Sequence, residues 1–291
     1  MFRAHRDAIE EAIAEVTRRE AADLPETVRP AVTYALSSGG KRLRGMLVIS
    51  ASHAAGGLGN VSGIGAAVEI IHAYSLVHDD LPCMDDDDVR RGRPATHRAF
   101  SVPVATSAGA AMIPLAARVA ARAARELRLP ATLSGTIVKV LMQGAGAGGM
   151  IGGQLRDLAG EGLALSRDDL DAIHGSKTGA LIAASVRIGG LAAGAGQQQV
   201  QAFGHFGESI GLAFQIMDDV LDVTSSSDRL GKTAGRDVEM RKSTYPALLG
   251  IEGAVSRAAS LVEEGCSALR KEGLLTGELE SLADFIVSRS H

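Results

Sequence analysis

The sequence predicts an all-α fold, and three observations carry that prediction. Hydrophobic residues make up 46% of the 291 positions, yet aromatics reach only 3% and Trp is absent. The core must therefore be assembled from Ala, Leu, Ile and Val, a palette of packed helices more than of β-sandwiches. Apolar residues also recur at helical spacing, while strand-like alternation bounded by turns is scarce.

The elements follow in order. Ile9, Ile13 and Val16 fall at i, i+4 and i+7, with Glu10, Glu11, Glu15 and Arg18 on other faces. Val61, Ile64, Val68 and Ile71 repeat the pattern. A residue before proline avoids helical angles, so this second helix is expected to end near Leu81. Glycine- and proline-rich breaks stand at Ser37–Gly40, Gly56–Asn60, Arg128–Pro130, Gly160–Gly162 and Gly194–Gly196. No linker and no fixed-period repeat interrupts the chain, which reads as a single domain of many helices over 1–291.

Composition excludes several partners. A net charge of −4 gives no electrostatic footprint for nucleic acid. No run of about 18 charge-free apolar residues suggests a membrane span; the nearest stretch, Gly179–Gly196, contains Arg187. The N-terminal MFRAHRDAIEEAIAEV carries acids early and is not expected to be a signal peptide. Cys83 and Cys266 lie far apart without metal-ligand spacing and read as free thiols of a reducing, cytoplasmic compartment.

Two acidic clusters carry the chemistry. HDDLPCMDDDDVRRGRPATH (78–97) holds six aspartates within ten positions, followed by Arg90, Arg91 and Arg93. Asp79 and Asp80 fall in the last turn of their helix, where the negative dipole end opposes them. Bound cations would remove that conflict. In IGLAFQIMDDVLD (210–222), Gln215, Asp218, Asp219 and Asp222 fall within an arc of about 100°. Ile210, Phe214, Met217 and Leu221 occupy the opposite face, for the core. Taken alone, this stripe reads equally as a solvated acidic face. Two such clusters near basic residues suit Mg2+, which uses one or two carboxylates and takes further oxygens from phosphates.

These motifs, in this order, resemble the trans-type isoprenyl diphosphate synthases, the polyprenyl synthetases. The likeness runs from about Tyr34 to Leu249 and rests on GGKRLRG (39–45), DDLPCMD (79–85) with Arg90 and Arg91, GGQLRD (152–157), KTG (177–179), FQIMDDVLD (214–222), and GK (231–232) with KSTYP (242–246). The resemblance implies the isoprenoid synthase fold: a bundle of about ten or more mostly antiparallel helices around a deep central cavity, in a homodimer. It implies condensation of isopentenyl diphosphate with an allylic diphosphate (dimethylallyl or geranyl), releasing pyrophosphate, with three Mg2+ ions and Mn2+ as a substitute.

It also implies roles. Asp79, Asp85 and Asp218 are expected to ligate Mg2+, with Asp80, Asp219 and Asp222 as ligands or their support. Arg90, Lys177, Thr178, Gln215, Lys232 and Lys242 are expected to hold the allylic diphosphate. Lys41, Arg44, His72 and Arg91 are expected to hold isopentenyl diphosphate. Gln154 and Asp157 are placed near the reacting carbons. In the family, bulk four and five residues before the first motif closes the cavity floor; here those are Ser75 and Tyr74. With Pro82 and Cys83 inserted in the motif, this resembles the bacterial farnesyl diphosphate synthases. Tyr74 lies roughly 7.5 Å down the helix from Asp79, where it can stop a tail at fifteen carbons. Geranyl or geranylgeranyl products are the alternatives, as is a non-catalytic regulatory subunit.

Plainer readings stand beside these. A lone helix histidine such as His72 is more often structural, the basic run Lys41, Arg42 and Arg44 reads alone as a surface cluster, Gln154 as a buried amide, and Tyr74 as core. The chain also departs from the family pattern. FSVPVATSAGAAMIPLA (100–116) has Ala110 where an aspartate is expected, and Pro114 is expected to kink or restart a helix. Gly45 stands where proline is frequent. GAGAGG (144–149) satisfies a dinucleotide pattern, but no parallel-strand pattern surrounds it. A calcium loop with Gly92 sixth would place Val89 and Arg91 at ligand positions.

Overall fold

Ile9, Ile13 and Val16 are buried, and helix α1 spans Phe2–Arg19. The computed structural model describes residues 2–224 and 243–288. Among them the fold is helical apart from two strands of two residues each. The contacts divide the chain into two compact units, one drawing on Met1–Ile49 and Leu58–Met142, the other on Ser50–Gly57 and Gln143–His291.

In the first unit, α1 is followed by α2 (Arg29–Leu36), the start of α3 (Leu43–Ala54) and α4 (Ser62–Asp79). Strands β1 (Val89–Arg90) and β2 (Arg93–Pro94) form a hairpin, and α5 (Thr96–Ala99), α6 (Val102–Glu126) and most of α7 (Ala131–Ala145) complete the unit. Helix α4 is apolar nearly all round and is the centre, packed by α1, α2 and α6. A helix that is hydrophobic on every side is a buried one. Each glycine- or proline-rich break expected from the sequence falls between two helices. TIVKVLM (136–142) lies inside α7, so the dinucleotide pattern has no strand before it.

Helix α6 differs from expectation. Ser101 caps it and Pro103 occupies its first turn, yet Pro114 lies inside one continuous helix. Pro114 removes one donor, leaving the Ala110 carbonyl without its usual partner. Ala110 is exposed, so water can satisfy that carbonyl and the helix continues. By length and composition α6 could cross a membrane. Its Ala105, Ala108, Met112, Leu115, Ala116 and Val119 are buried, and it packs on α4 as a core helix does.

The basic run also divides. Arg42 is 3% exposed and adopts a left-handed φ of 51°. Its guanidinium donates to Glu10 (2.8 and 3.1 Å) and to the Leu36 carbonyl (3.0 Å). It also lies 3.8 Å from Glu69, whose side chain is 2% exposed. Glu69 sits mid-helix in α4, and its Oε1 accepts the Gly45 N–H at 2.9 Å. A proline at 45 would lack that donor. Arg42 is therefore a core counter-charge, not part of a surface cluster.

The second unit holds α8 (Met150–Ala159), α9 (Arg167–His174), a π-helical turn (Gly175–Gly179), α10 (Ala180–Ala192) and α11 (Gln197–Thr224), then α12 (Tyr245–Lys271) and α13 (Gly277–Ser288). Helix α11 packs against α10, α12, α13 and the π turn. Cys266 is buried and Cys83 exposed, both free thiols.

Removing one partner of a buried pair leaves an uncompensated charge. Arg42→Met is therefore expected to lower unfolding free energy by about 3–5 kcal/mol, measured by urea denaturation. Glu10→Gln, on a side chain 40% exposed, should cost far less.

Candidate functional site

In the first unit the acidic stretch is folded onto the end of α4. Asp79 is the last helical residue and Asp80 the C-cap. The Asp85 N–H donates to the Asp79 carbonyl at 2.9 Å and the Asp86 N–H to the Leu81 carbonyl at 3.1 Å. This wraps the loop so that the motif's ends meet. Oδ1 of Asp85 is buried with no hydrogen-bond partner among the described residues. A buried carboxylate oxygen in that state is costly unless a cation meets it, and a hard divalent ion with oxygen ligands fits.

The hairpin returns arginines to the same place. Its two-residue loop, Arg91 and Gly92, has φ of 53° and 73°, the left-handed pair that tight hairpins favour. Arg90 donates Nε to Asp80 at 2.9 Å and Nη2 to both Asp80 and Asp87, the latter at 3.0 Å. Asp80 is 2% exposed; burial pushes its carboxyl up, and Arg90 offsets part of that. Arg91 donates to the Gly39 carbonyl and lies over Gly40, where a Cβ would sit 2.7 Å from its Nη1. Burial and then Arg42 lower its pKa.

His72 is the meeting point. Its pKa is held well below the ordinary value by burial, then by Arg44, Arg91, Arg42 and Arg90 in that order. Arg44, Arg91, Arg42 and Arg90 thus all lie within electrostatic reach of His72. Lys41 is exposed, one residue before Arg42. Tyr74 is 6% exposed and meets the His78 ring edge-on, centroids 4.7 Å apart. Burial, then Asp79, raises its phenol pKa. Ser75 bends back to donate to the His72 carbonyl at 2.9 Å.

The second unit gathers the later motifs. Lys177 sits on the π turn, a geometry frequent at functional sites, and its Nζ donates to Asp157 at 2.7 Å. Gln154 is 6% exposed, yet neither atom of its amide has a hydrogen-bond partner among the described residues. Thr178 donates to Gln215 Oε1 at 2.9 Å, and Gln215 Nε2 lies 3.5 Å from Asp219 Oδ1. Oδ2 of Asp219 accepts the Tyr245 N–H at 3.0 Å and lies 3.3 Å from His174 Nε2. Asp219 and Asp222 are 3% and 5% exposed and Asp218 is half-buried, so the stripe is not a solvated face. Ile210, Met217 and Leu221 are buried as expected, and Phe214 is half-buried. Lys232 and Lys242 lie outside the described residues.

Sequence reasoning missed four contributors: Asp87, which shares Arg90; Arg42; His174; and Tyr245, whose ring stacks on His174 at 5.9 Å. Asp87 left a local signal, three residues before Arg90, and Arg42 and Tyr245 lie inside quoted motifs without a role assigned there.

A family model described as polyprenyl synthetase matches residues 25–272. The chain is 44% identical over 263 residues to the farnesyl diphosphate synthase of Escherichia coli K12, covering 88% of this chain and 87% of that protein. It is 39% identical over 272 residues to the geranylgeranyl diphosphate synthase of Cyanophora paradoxa, covering 92% and 89% respectively. Among solved structures it is similar to a Helicobacter pylori geranyltransferase complexed with magnesium and isoprenyl diphosphate. There the TM-score is 0.79 and the identity 27%, covering 96% of this chain and 95% of that one.

The Lys177 backbone lies against Gly153, where an added Cβ would be 2.2 Å from the Lys177 nitrogen and 2.5 Å from its Cα. Backbone cannot swing away, so Gly153→Ala is expected to cost roughly 1–3 kcal/mol in thermal unfolding. Gly148→Ala, with nothing within 4 Å of the new Cβ, should unfold like the parent.

Proposed function

The chain belongs to the polyprenyl synthetase family, and from that premise we propose that it is a prenyltransferase joining isopentenyl diphosphate to dimethylallyl or geranyl diphosphate. The product is farnesyl diphosphate, with release of pyrophosphate. The whole chain acts as one catalytic domain, as a homodimer, in the cytoplasm. The observation that carries this reading is the convergence of guanidinium groups on a His72 that they help hold neutral. A diphosphate arriving there would relieve their mutual repulsion.

Arg44, His72 and Arg91, with the exposed Lys41, hold isopentenyl diphosphate. Arg90 contacts the allylic diphosphate; its fork carries five N–H donors, and Asp80 and Asp87 engage only the Nε and Nη2 side. Lys177, Thr178 and Gln215 bind the same group, with Lys232 and Lys242 from outside the described residues. Asp79, Asp85, Asp218 and Asp222 hold Mg2+. Asp219, with Oδ2 already accepting from protein donors, orients its neighbours and offers Oδ1. Held by these carboxylates, Mg2+ would supply positive charge against the departing pyrophosphate.

Breaking the allylic carbon–oxygen bond leaves a carbocation and a pyrophosphate, so the barrier is governed by charge on the leaving group. Lys and Arg donors fixed in advance stabilise that charge without reorganising. The cation must meet the second alkene before water, which requires an apolar chamber. Tyr74, buried one and a half turns below Asp79, ends the space for the tail. Gln154, whose amide is buried without partners among the described residues, acts with Asp157 near the reacting carbons.

Purified protein with isopentenyl diphosphate, either allylic diphosphate and Mg2+ is expected to yield a fifteen-carbon alcohol after dephosphorylation, and nothing in excess EDTA. Absence of turnover at every Mg2+ level would favour the regulatory-subunit reading. Asp218→Ala is expected to lower kcat by ~10²–10³-fold, as losing an electrostatic stabiliser does; an unchanged rate would refute its role. Tyr74→Ala should shift the product to twenty carbons by chromatography, and an unchanged fifteen-carbon product would remove Tyr74 from the floor.

A further inference from the structure

Asp86, Asp88 and His97 take no part in the roles assigned above. His97 is 5% exposed, and neither Nδ1 nor Nε2 has a hydrogen-bond partner among the described residues. An unsatisfied buried polar group is costly, so a partner is expected. One ligand atom from each of Asp86, Asp88 and His97 lies within 4.8 Å of the others. Both aspartates are exposed, which gives an ion a route in.

We propose that these three side chains form a second metal site, for a Zn2+-class ion, that clips the base of the arginine hairpin. Asp88 directly precedes β1 and His97 follows β2 by three residues. Between them the Ala95 N–H donates to the Asp88 carbonyl at 2.8 Å and closes the hairpin. An ion held by both side chains ties the two strands together at the point where Arg90 and Arg91 are launched.

The donor set selects the metal. Mg2+ takes oxygen ligands and keeps its waters, whereas imidazole suits Zn2+ and its neighbours. Two carboxylates, one imidazole and a water match the three-ligand Zn2+ pattern. In tetrahedral geometry, bonds of about 2.0–2.2 Å put donor atoms about 3.3–3.6 Å apart, so the exposed aspartates close by up to about 1.5 Å when the ion enters. Arg98 Nε donates to Asp88 Oδ1 at 2.5 Å. That contact uses one of two oxygens and fixes the carboxylate, as outer partners of metal ligands commonly do. None of the three donors belongs to the Mg2+ set, so the site stands independently of the catalytic reading.

The test uses the full chain, stripped with chelator and free of diphosphate. Calorimetric titration with ZnCl2 in a large excess of MgCl2, with metal counted by mass spectrometry, is expected to give one Zn2+ per chain. Asp88→Asn, on an exposed side chain, and His97→Gln, checked for folding by circular dichroism, should each weaken Zn2+ by at least ~10-fold. Zn2+ should also slow tryptic cleavage after Arg90 and Arg91 several-fold in the parent and not in Asp88→Asn. No Zn2+ binding, equal affinity in both variants, or loss of binding in Asp85→Asn with Asp88→Asn unaffected would each overturn the proposal.

Discussion

Crowded negative charge at the C-terminal end of α4 is the constraint to which the first unit answers. Six carboxylates follow one another within ten positions, beside the negative end of a helix dipole. Burying Asp80 there is tolerable only because Arg90 meets it twice and shares itself with Asp87. Arg90 reaches back because the hairpin reverses the chain over two residues with left-handed φ. Tyr34 then holds that hairpin in place: its hydroxyl donates to the Pro94 carbonyl at 2.8 Å, and Arg93 lies over its ring at 4.1 Å. Acid, turn and arginine make one device in which each part fails without the others.

The second unit solves the same problem with the opposite polarity. Tyr245 is the first residue of α12, so its N–H is among the four that no helix can satisfy internally. Asp219 accepts it, placing a carboxylate at a positive helix end, where it is favoured. His174, the last residue of α9, completes the contact. One buried carboxylate thereby ties α9, α11 and α12 together. Asp219 is consequently a joint of the second unit.

Most of the fold was legible because its punctuation is local. Gly and Pro act through their own φ, so the breaks at 37–40, 56–60, 128–130, 160–162 and 194–196 could be read one residue at a time. Spacing on a helix made the two aspartate clusters stand out, whereas the roles expected of the other site residues came from the resemblance, motif by motif. What stayed hidden depends on partners far along the chain. Arg42 looks like its neighbours Lys41 and Arg44, and only Glu10, Glu69 and the Leu36 carbonyl draw it inward. His174 and Tyr245 gain their meaning from Asp219, 45 and 26 residues away. Pro114 misled for a similar reason, since its effect depends on whether the Ala110 carbonyl can reach water.

Preorganisation links these features to the chemistry. Arg42, Asp86 and Arg91 all hold positive φ, a conformation costing roughly 1–3 kcal/mol each for non-glycine residues. All three flank the charged group of the first unit, and the surroundings hold each one: Arg42 through Glu10, Asp86 through the Leu81 carbonyl, Arg91 through the Gly39 carbonyl. A free arginine loses substantial rotamer freedom when it binds an anion, on the order of 0.5–1.5 kcal/mol per immobilised side chain. Here that ordering is complete before any ligand arrives, because ion pairs and a strained backbone already fix the guanidinium groups. The strain is therefore borne by folding, and a polyanion meets donors whose directions are set. His72 lies among them with its pKa held well below the ordinary value by burial and then by the arginines, and an arriving diphosphate meets positive charge already in place.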